Sequence, residues 1–280
     1  MENFIFKIDG PIFREGVPIH IAIKALDNFQ SIIDKTFLVA GESQRIGAKE
    51  REKYYLRASS FEHSSFLTNF EIVLAGTQLA LPFLGTLGPQ NLWEYTKETF
   101  NFLKLICTSH KENPENVKID IQDNQNTIVH IGNTEHHYHG PVFQIAQKSL
   151  PKYQDLAHML DQGKIETIMA GDKEEPEMVI GLEDRELFDI PTRMQEDPIE
   201  VKCEIFTFNK FGNVGKLRIF DGQSIPKGDY NFSILGDQDN LNYIYSMLKP
   251  FVTVQCLLEM AISPLGTELI SHLHITGIVS

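Results

Sequence analysis

The sequence predicts an α+β chain: an antiparallel sheet with helices over residues 1–150, then a small five-stranded barrel of the OB type over residues 198–280. Three observations carry this expectation. Strand-like alternation and helical spacing take turns through the first part of the chain. A strongly acidic stretch follows, over residues 151–197. The last eighty or so residues then run strand, strand, strand, helix, strand, strand. An OB barrel places its helix between the third and fourth strands in the same way.

Phe4, Phe6 and Ile8 alternate with Ile5 and Lys7, which predicts a half-buried strand ending at Asp9-Gly10. The same stretch lacks the basic start and apolar run of a signal peptide. Ala22, Leu26, Phe29, Ile33 and Phe37 recur at helical spacing, so residues 20–38 read as an amphipathic helix. Gly41 to Glu52 is polar and reads as a loop or short helix. Tyr54, Leu56 and Ala58, then Phe66 to Leu74, alternate as two antiparallel strands around a turn at Phe61–Ser65. Pro89 suits the first turn of a helix, and Trp93, Phe100, Leu103 and Cys107 mark its apolar face. Val117–Ile121 and Thr127–Ile131 form a hairpin around Asp123–Asn126. Val142 to Leu160 reads as a helix interrupted near Pro151.

Between Pro151 and Ile199 there are 13 acidic and 5 basic residues, which holds eight of the chain's thirteen net negative charges. The runs Asp172–Glu177 and Met194–Pro198 read as solvated linker, with one short helix over Ile180–Phe188 and the domain boundary at Gln195–Pro198. Within that helix Glu183-Asp-Arg-Glu186 reads as a surface charge cluster. The barrel strands are expected at Glu200–Asn209, Val214–Phe220, Asp229–Leu235, Phe251–Met260 and Leu269–Val279. Its helix carries Leu241, Ile244, Tyr245 and Leu248 at helical spacing behind a cap in Asp237–Asn240.

The net charge of −13 argues against bulk attraction to nucleic acid or anionic lipid. No apolar run reaches the ~20 residues a membrane helix needs. Cys107, Cys203 and Cys256 are far apart and sit among apolar neighbours, which predicts buried, reduced thiols and a cytoplasmic setting.

Four stretches, Val17–Leu26, Leu92–Lys97, Pro141–Ala146 and Gly215–Pro226, resemble a group of bacterial proteins that join two domains of unknown function. The resemblance covers nearly the whole chain and implies the two-domain split. It implies no activity and no site residues. The kind of family it resembles suggests a sensor or accessory subunit in a bacterial stress or phage-defence setting.

The densest chemistry lies in Val129-His-Ile-Gly-Asn-Thr-Glu-His-His-Tyr-His-Gly140. If a hairpin turns at Gly132–Glu135, His137 and His139 share a strand face and His130 lies opposite. With Glu135 these imidazoles form a candidate zinc or nickel site. The alternative is an exposed hairpin whose His136, His137, Tyr138 and His139 meet a partner. His272-Leu-His274 repeats the i, i+2 geometry among apolar neighbours and reads as edge histidines. On the barrel, Phe206, Phe208, Lys216 and Arg218 combine aromatic faces with cations, as single-strand binders do. Yet Glu200–Ser280 holds 8 acidic and 6 basic residues, so the electrostatic footprint is missing.

No phosphate loop, dinucleotide fingerprint, nucleophile elbow or zinc helix is present, and no motif calls for a cofactor. Serine–histidine–acid sites assemble in space, so the absence of a motif does not exclude them. The expected function is a non-catalytic binding or assembly module that forms a homo-oligomer or meets a protein partner, with no membrane role. The alternatives are a metal-dependent hydrolase using the His130–His139 cluster and single-strand binding by the barrel.

Overall fold

The computed structural model describes residues 4–41, 45–62, 66–74, 79–81, 85–87, 89–122, 126–266 and 268–279. The chain forms two compact units, Met1–Asp189 and Ile190–Ser280. The turns expected at Phe61–Ser65 and Asp123–Asn126 fall largely outside the described residues.

The first unit opens with β1 (Phe4–Asp9), α1 (Ile19–Ala40), α2 (Ala48–Lys53), β2 (Tyr54–Glu62) and β3 (Phe66–Leu74). A small hairpin, β4 (Leu79–Leu81) with β5 (Gly85–Leu87), precedes α3 (Pro89–Glu112). Then come β6 (Val117–Ile121), β7 (Thr127–Ile131), β8 (Thr134–Tyr138), α4 (Val142–Ala157), β9 (Thr167–Gly171) and β10 (Pro176–Gly181). The main sheet runs β10-β9-β1-β3-β2, every neighbour antiparallel. Helices α1, α3 and α4 pack on one another. Alternation in β1 explains the layer: Phe6 stacks on Phe29 of α1 at 4.4 Å and Phe4 lies 4.8 Å from Trp93 of α3. Where α1 meets α3, the buried hydroxyls of Thr36 and Thr96 satisfy one another at 3.1 Å.

The structure differs from several expectations for this unit. Helix α4 is not interrupted at Pro151. The proline removes one backbone bond, but the buried face from Val142 through Ile145, Ser149 and Tyr153 to Leu156 runs unbroken past it. The acidic segment 151–197 is not a helical linker either. Its β9 and β10 bury Ile168, Ala170, Met178 and Ile180 as the outer strands of the sheet. After β10 a single 3-10 turn, Leu182–Asp184, replaces the expected helix. Asp184 there is buried and bound by Lys104 at 2.8 Å, so it is not a surface charge.

The second unit begins before the expected boundary at Gln195–Pro198, because β11 (Thr192–Met194) already pairs with a barrel strand. The barrel strands are β12 (Ile199–Asn209), β13 (Val214–Ile219), β14 (Gly228–Ile234), β15 (Val252–Ile262) and β16 (Glu268–Val279), with α5 (Asn240–Ser246) between β14 and β15. They close as β12-β13-β14-β16-β15 and back to β12, with only β14 and β16 parallel. This is an OB-like barrel with its helix after the third strand. Val201, Ile205, Leu217, Phe232, Val254, Leu273 and both Cys203 and Cys256 fill the interior.

All three cysteines are free and buried. Burial pushes the Cys107 and Cys203 thiols up to about 12 and that of Cys256 to about 11, so they stay protonated and unreactive. Among the described residues no helix is long and apolar enough to cross a membrane.

Candidate functional site

The histidine-rich segment folds as a hairpin turned at Gly132, whose φ of 57° suits a residue without a side chain. Strand β8 lies at the edge of the small sheet β6-β7-β8. His130 faces Glu135 across the hairpin and bonds Asp120 at 3.1 Å, with Glu135 3.4 Å from its other nitrogen. His137 lies on the same face, 3.8 Å from Glu135. The strand starts at Thr134 and ends at Tyr138, so His139 falls beyond it and the three imidazoles do not converge. Among the described residues no three His, Cys, Asp or Glu side chains are placed to hold a metal ion, and His130, His137 and His139 therefore do not assemble the expected ligand set. His136 and Tyr138 project to the other face. There Tyr138 meets Phe102 of α3 edge-on at 5.0 Å, and burial pushes its phenol up. Of the expected interface residues, Tyr138 therefore packs largely within its own unit, while His137 and His139 are exposed.

The four barrel residues are not one surface. A bulge between Ile205 and Thr207 breaks the alternation of β12. Phe208 turns inward and lies parallel to Phe232 at 6.2 Å and against Tyr243 at 5.4 Å. Phe206 stays outside under the Arg218 guanidinium, 5.4 Å from its centre. Arg218 is itself held in a fork by Asp229, at 2.7 and 3.1 Å. Lys216 lines a cleft of about 510 Å³ with Phe208, Asn231, Phe232 and His272. With Phe208 partly buried against the core and Arg218 bound to a carboxylate, the four residues do not form one stacking and phosphate-binding surface.

Two features carry no signal in the sequence pattern. The first is the direction of α5. Asp239 caps it by accepting the Leu241 N–H at 2.9 Å, and the residues it buries against the barrel are Tyr243 and Ser246. Leu241, Ile244, Tyr245 and Leu248 point away, and Leu241 and Leu248 are 53% and 83% exposed. Beside them a groove of about 690 Å³ is lined by Lys202, Tyr245, Lys249 and Phe251. Lys202 sits 4.7 Å over the Phe251 ring and Phe220 meets the same ring edge-on.

The second is a polar chain on the outer face of β14, β16 and β15. Ser233 Oγ lies 2.9 Å from His274 Nδ1, and His274 Nε2 lies 3.0 Å from Glu259 Oε2. The His274 and Thr192 hydrogen bonds hold the Glu259 carboxyl below its ordinary range, so it is an ionised acceptor. An acceptor-only carboxylate assigns the imidazole proton to Nε2 and leaves the Nδ1 lone pair for the Ser233 hydroxyl. The His272 ring lies 4.8 Å from that of His274, and burial, followed by its coupling to His274, holds its imidazole below the ordinary value. Residues 233, 259 and 274 are remote in sequence, and only the parallel β14–β16 register, Ser233 opposite His274, brings the first and last together.

No family model, no curated protein and no solved structure matches the chain. Function is therefore argued from these side chains alone.

Proposed function

We propose that the chain is a binding and assembly module that self-associates through the outward face of α5. The observation that carries this reading is the exposed stripe Leu241, Ile244, Tyr245 and Leu248. Leu241, Ile244 and Tyr245 stand at the i, i+3, i+4 spacing of a buried helix face and Leu248 follows in the turn just past the helix, yet they face away from their own core. Contiguous exposed apolar surface on a folded domain marks a contact. Phe251 and Phe220, 46% and 37% exposed, extend the patch.

Charge favours a two-fold, antiparallel pairing of α5 with its copy. Asp237 and Asp239 lie at the start of the helix and Lys249 just past its end. Antiparallel packing sets each acidic end against the lysine of the other copy, as a self-complementary interface requires. The free edge of β8 offers a second, smaller contact by strand addition.

Light scattering on the purified chain tests the reading. The wild type is expected to be a dimer, and Leu241→Asp with Leu248→Asp a folded monomer. Asp237→Lys should weaken the dimer, and Lys249→Asp in the same chain should restore it. A wild type that stays monomeric at high micromolar concentration removes the proposal.

A further inference from the structure

We propose that Ser233 is a nucleophilic serine, with His274 as its general base and Glu259 as a positioning residue, and that the barrel surface transfers acyl groups from carboxylic esters to water. The inference goes beyond self-association and uses none of the α5 residues.

The geometry is that of a hydroxyl, an imidazole and a carboxylate in one chain of hydrogen bonds, at 2.9 and 3.0 Å. Nucleophilic serines are recognised by this arrangement and by roles, not by sequence order. Its polarity is also right. Nδ1 carries a lone pair toward the hydroxyl, while Nε2–H donates to an anion that will stabilise the imidazolium. Ser233 is half-buried, so solvent and substrate reach it. Glu259 is held from a further side by Thr192 of β11, which fixes the carboxylate behind the ring.

The surroundings supply a place for the ester. Residues 231 and 233 of β14 point to the same outer face, and Lys216 lies directly opposite Asn231, Val214 opposite Ser233. Lys216, Asn231, Val214 and His272 line the cleft of about 510 Å³, and Ser233 and His274 adjoin it through their neighbours Val214 and His272 rather than lining it. A cation and an amide N–H donor on one wall suit the oxygen that gains charge when a carbonyl is attacked.

The chemistry balances without a cofactor. Ser233 Oγ attacks the ester carbonyl carbon, forming a C–O bond, as its proton passes to His274 Nδ1. Collapse of the tetrahedral adduct breaks the bond to the alcohol oxygen, which leaves with the proton from His274. Water then attacks the acyl-serine as it loses a proton to Nδ1; the acyl–Oγ bond breaks, Ser233 Oγ takes that proton back from His274, and a carboxylic acid and the free serine hydroxyl result.

The test uses the full chain with a fluorophosphonate probe and with 4-nitrophenyl acetate. One probe per chain is expected on the peptide holding Ser233, lost after heat denaturation and lost in Ser233→Ala. His274→Ala should slow labelling about 100-fold, the scale of a general base. Glu259→Gln should lower kcat about tenfold with KM unchanged, which separates positioning from a folding defect. A folded chain that takes no label, or turnover unaffected by Ser233→Ala, overturns the proposal. Should Ser233→Ala fail to fold, Ser233→Cys decides it. Its thiol should be alkylated about tenfold faster with His274 present than with His274→Ala, and equal rates also overturn the proposal.

Discussion

The indole N–H of Trp93, on α3, is donated to the carboxylate of Glu177, on β10. Glu177 also takes the Lys97 ammonium at 2.9 Å, so one carboxylate joins the helix to the outer strand of the sheet. Trp93 is fully buried and its ring lies against Phe4 and Phe70. A buried indole N–H without an acceptor costs free energy, and Glu177 supplies that acceptor where the bulge at Pro176/Met178 re-aims it.

Trp93→Ala is accordingly expected to destabilise the first unit by ~3–5 kcal/mol. Glu177→Ala should cost ~1–3 kcal/mol, since it leaves the indole N–H unpaired. Trp93 is the only tryptophan of the chain, so its fluorescence reports the wild type and Glu177→Ala, while circular dichroism follows Trp93→Ala. A blue-shifted, poorly quenched wild-type spectrum and a lower denaturation midpoint in each variant are the expected readings. A red-shifted wild-type emission contradicts the packing.

Gly215 makes a second prediction inside the barrel. A Cβ there would stand 2.3 Å from the Thr207 carbonyl oxygen and 2.6 Å from the Phe232 ring. The first is backbone in the same β12–β13 ladder and the second is a core ring that Phe208 pins from the other side. Neither can move freely in a close-packed interior. Gly215→Ala should therefore destabilise by ~1–3 kcal/mol. Gly277→Ala, whose Cβ meets nothing within 4 Å, should change little. Equal midpoints for the two variants in thermal denaturation would show that the ring packing is wrongly placed.

The barrel is legible because each level of the sequence agrees there: alternation in every strand, turn residues between them, and a capped helix at the expected place. Charge misleads in the acidic segment. The period-2 burial of Ile168, Ala170, Met178 and Ile180 lies beside acidic residues that stay at the surface, and a net count over the segment hides it. Alternation puts Phe206 and Phe208 together only if the ladder is unbroken, and a bulge leaves no mark in composition. The helix α5 shows a different limit. Apolar spacing gives a stripe but not its direction, and here Tyr243 and Ser246 face the barrel instead. His274 stands out in the sequence only as half of His272-Leu-His274, and nothing there joins it to Ser233 and Glu259, since their proximity is a product of strand order.

Residues Ile190–Ser280, expressed alone, should fold, because the barrel closes on its own strands and fills its interior with its own side chains. The fragment must begin before β11, since Thr192–Met194 pairs with β15 and Gln195 donates its N–H to the Leu258 carbonyl at 2.8 Å. A cooperative thermal transition is expected for residues 190–280, at a lower temperature for residues 199–280. An unfolded longer fragment would contradict the division into two units.

Acid should weaken this barrel in two steps, both of the same sign. His272 is held below the ordinary imidazole value of 6.5, first by burial and then by the charge of His274. A depressed value means that the folded state binds this proton less readily than the unfolded chain does. The stability it confers is thus present above 6.5 and is lost as pH falls through the depressed value. Glu259 is held below its ordinary 4.5 chiefly by the His274 hydrogen bond, so its contribution is present above 4.5 and is lost at lower pH still. Denaturation midpoints of the 190–280 fragment should therefore be flat between the ordinary imidazole value of 6.5 and the ordinary thiol value of 9.0 and fall on acidification, first through the histidine step. His272→Gln cannot take up the proton and should remove that first fall while leaving the second. Glu259→Gln should remove the second, at the cost of a lower midpoint at neutral pH, because the His274 N–H then meets a neutral amide oxygen. A His272→Gln profile that overlays the wild type across the whole range would show that the ring is not held neutral by its surroundings.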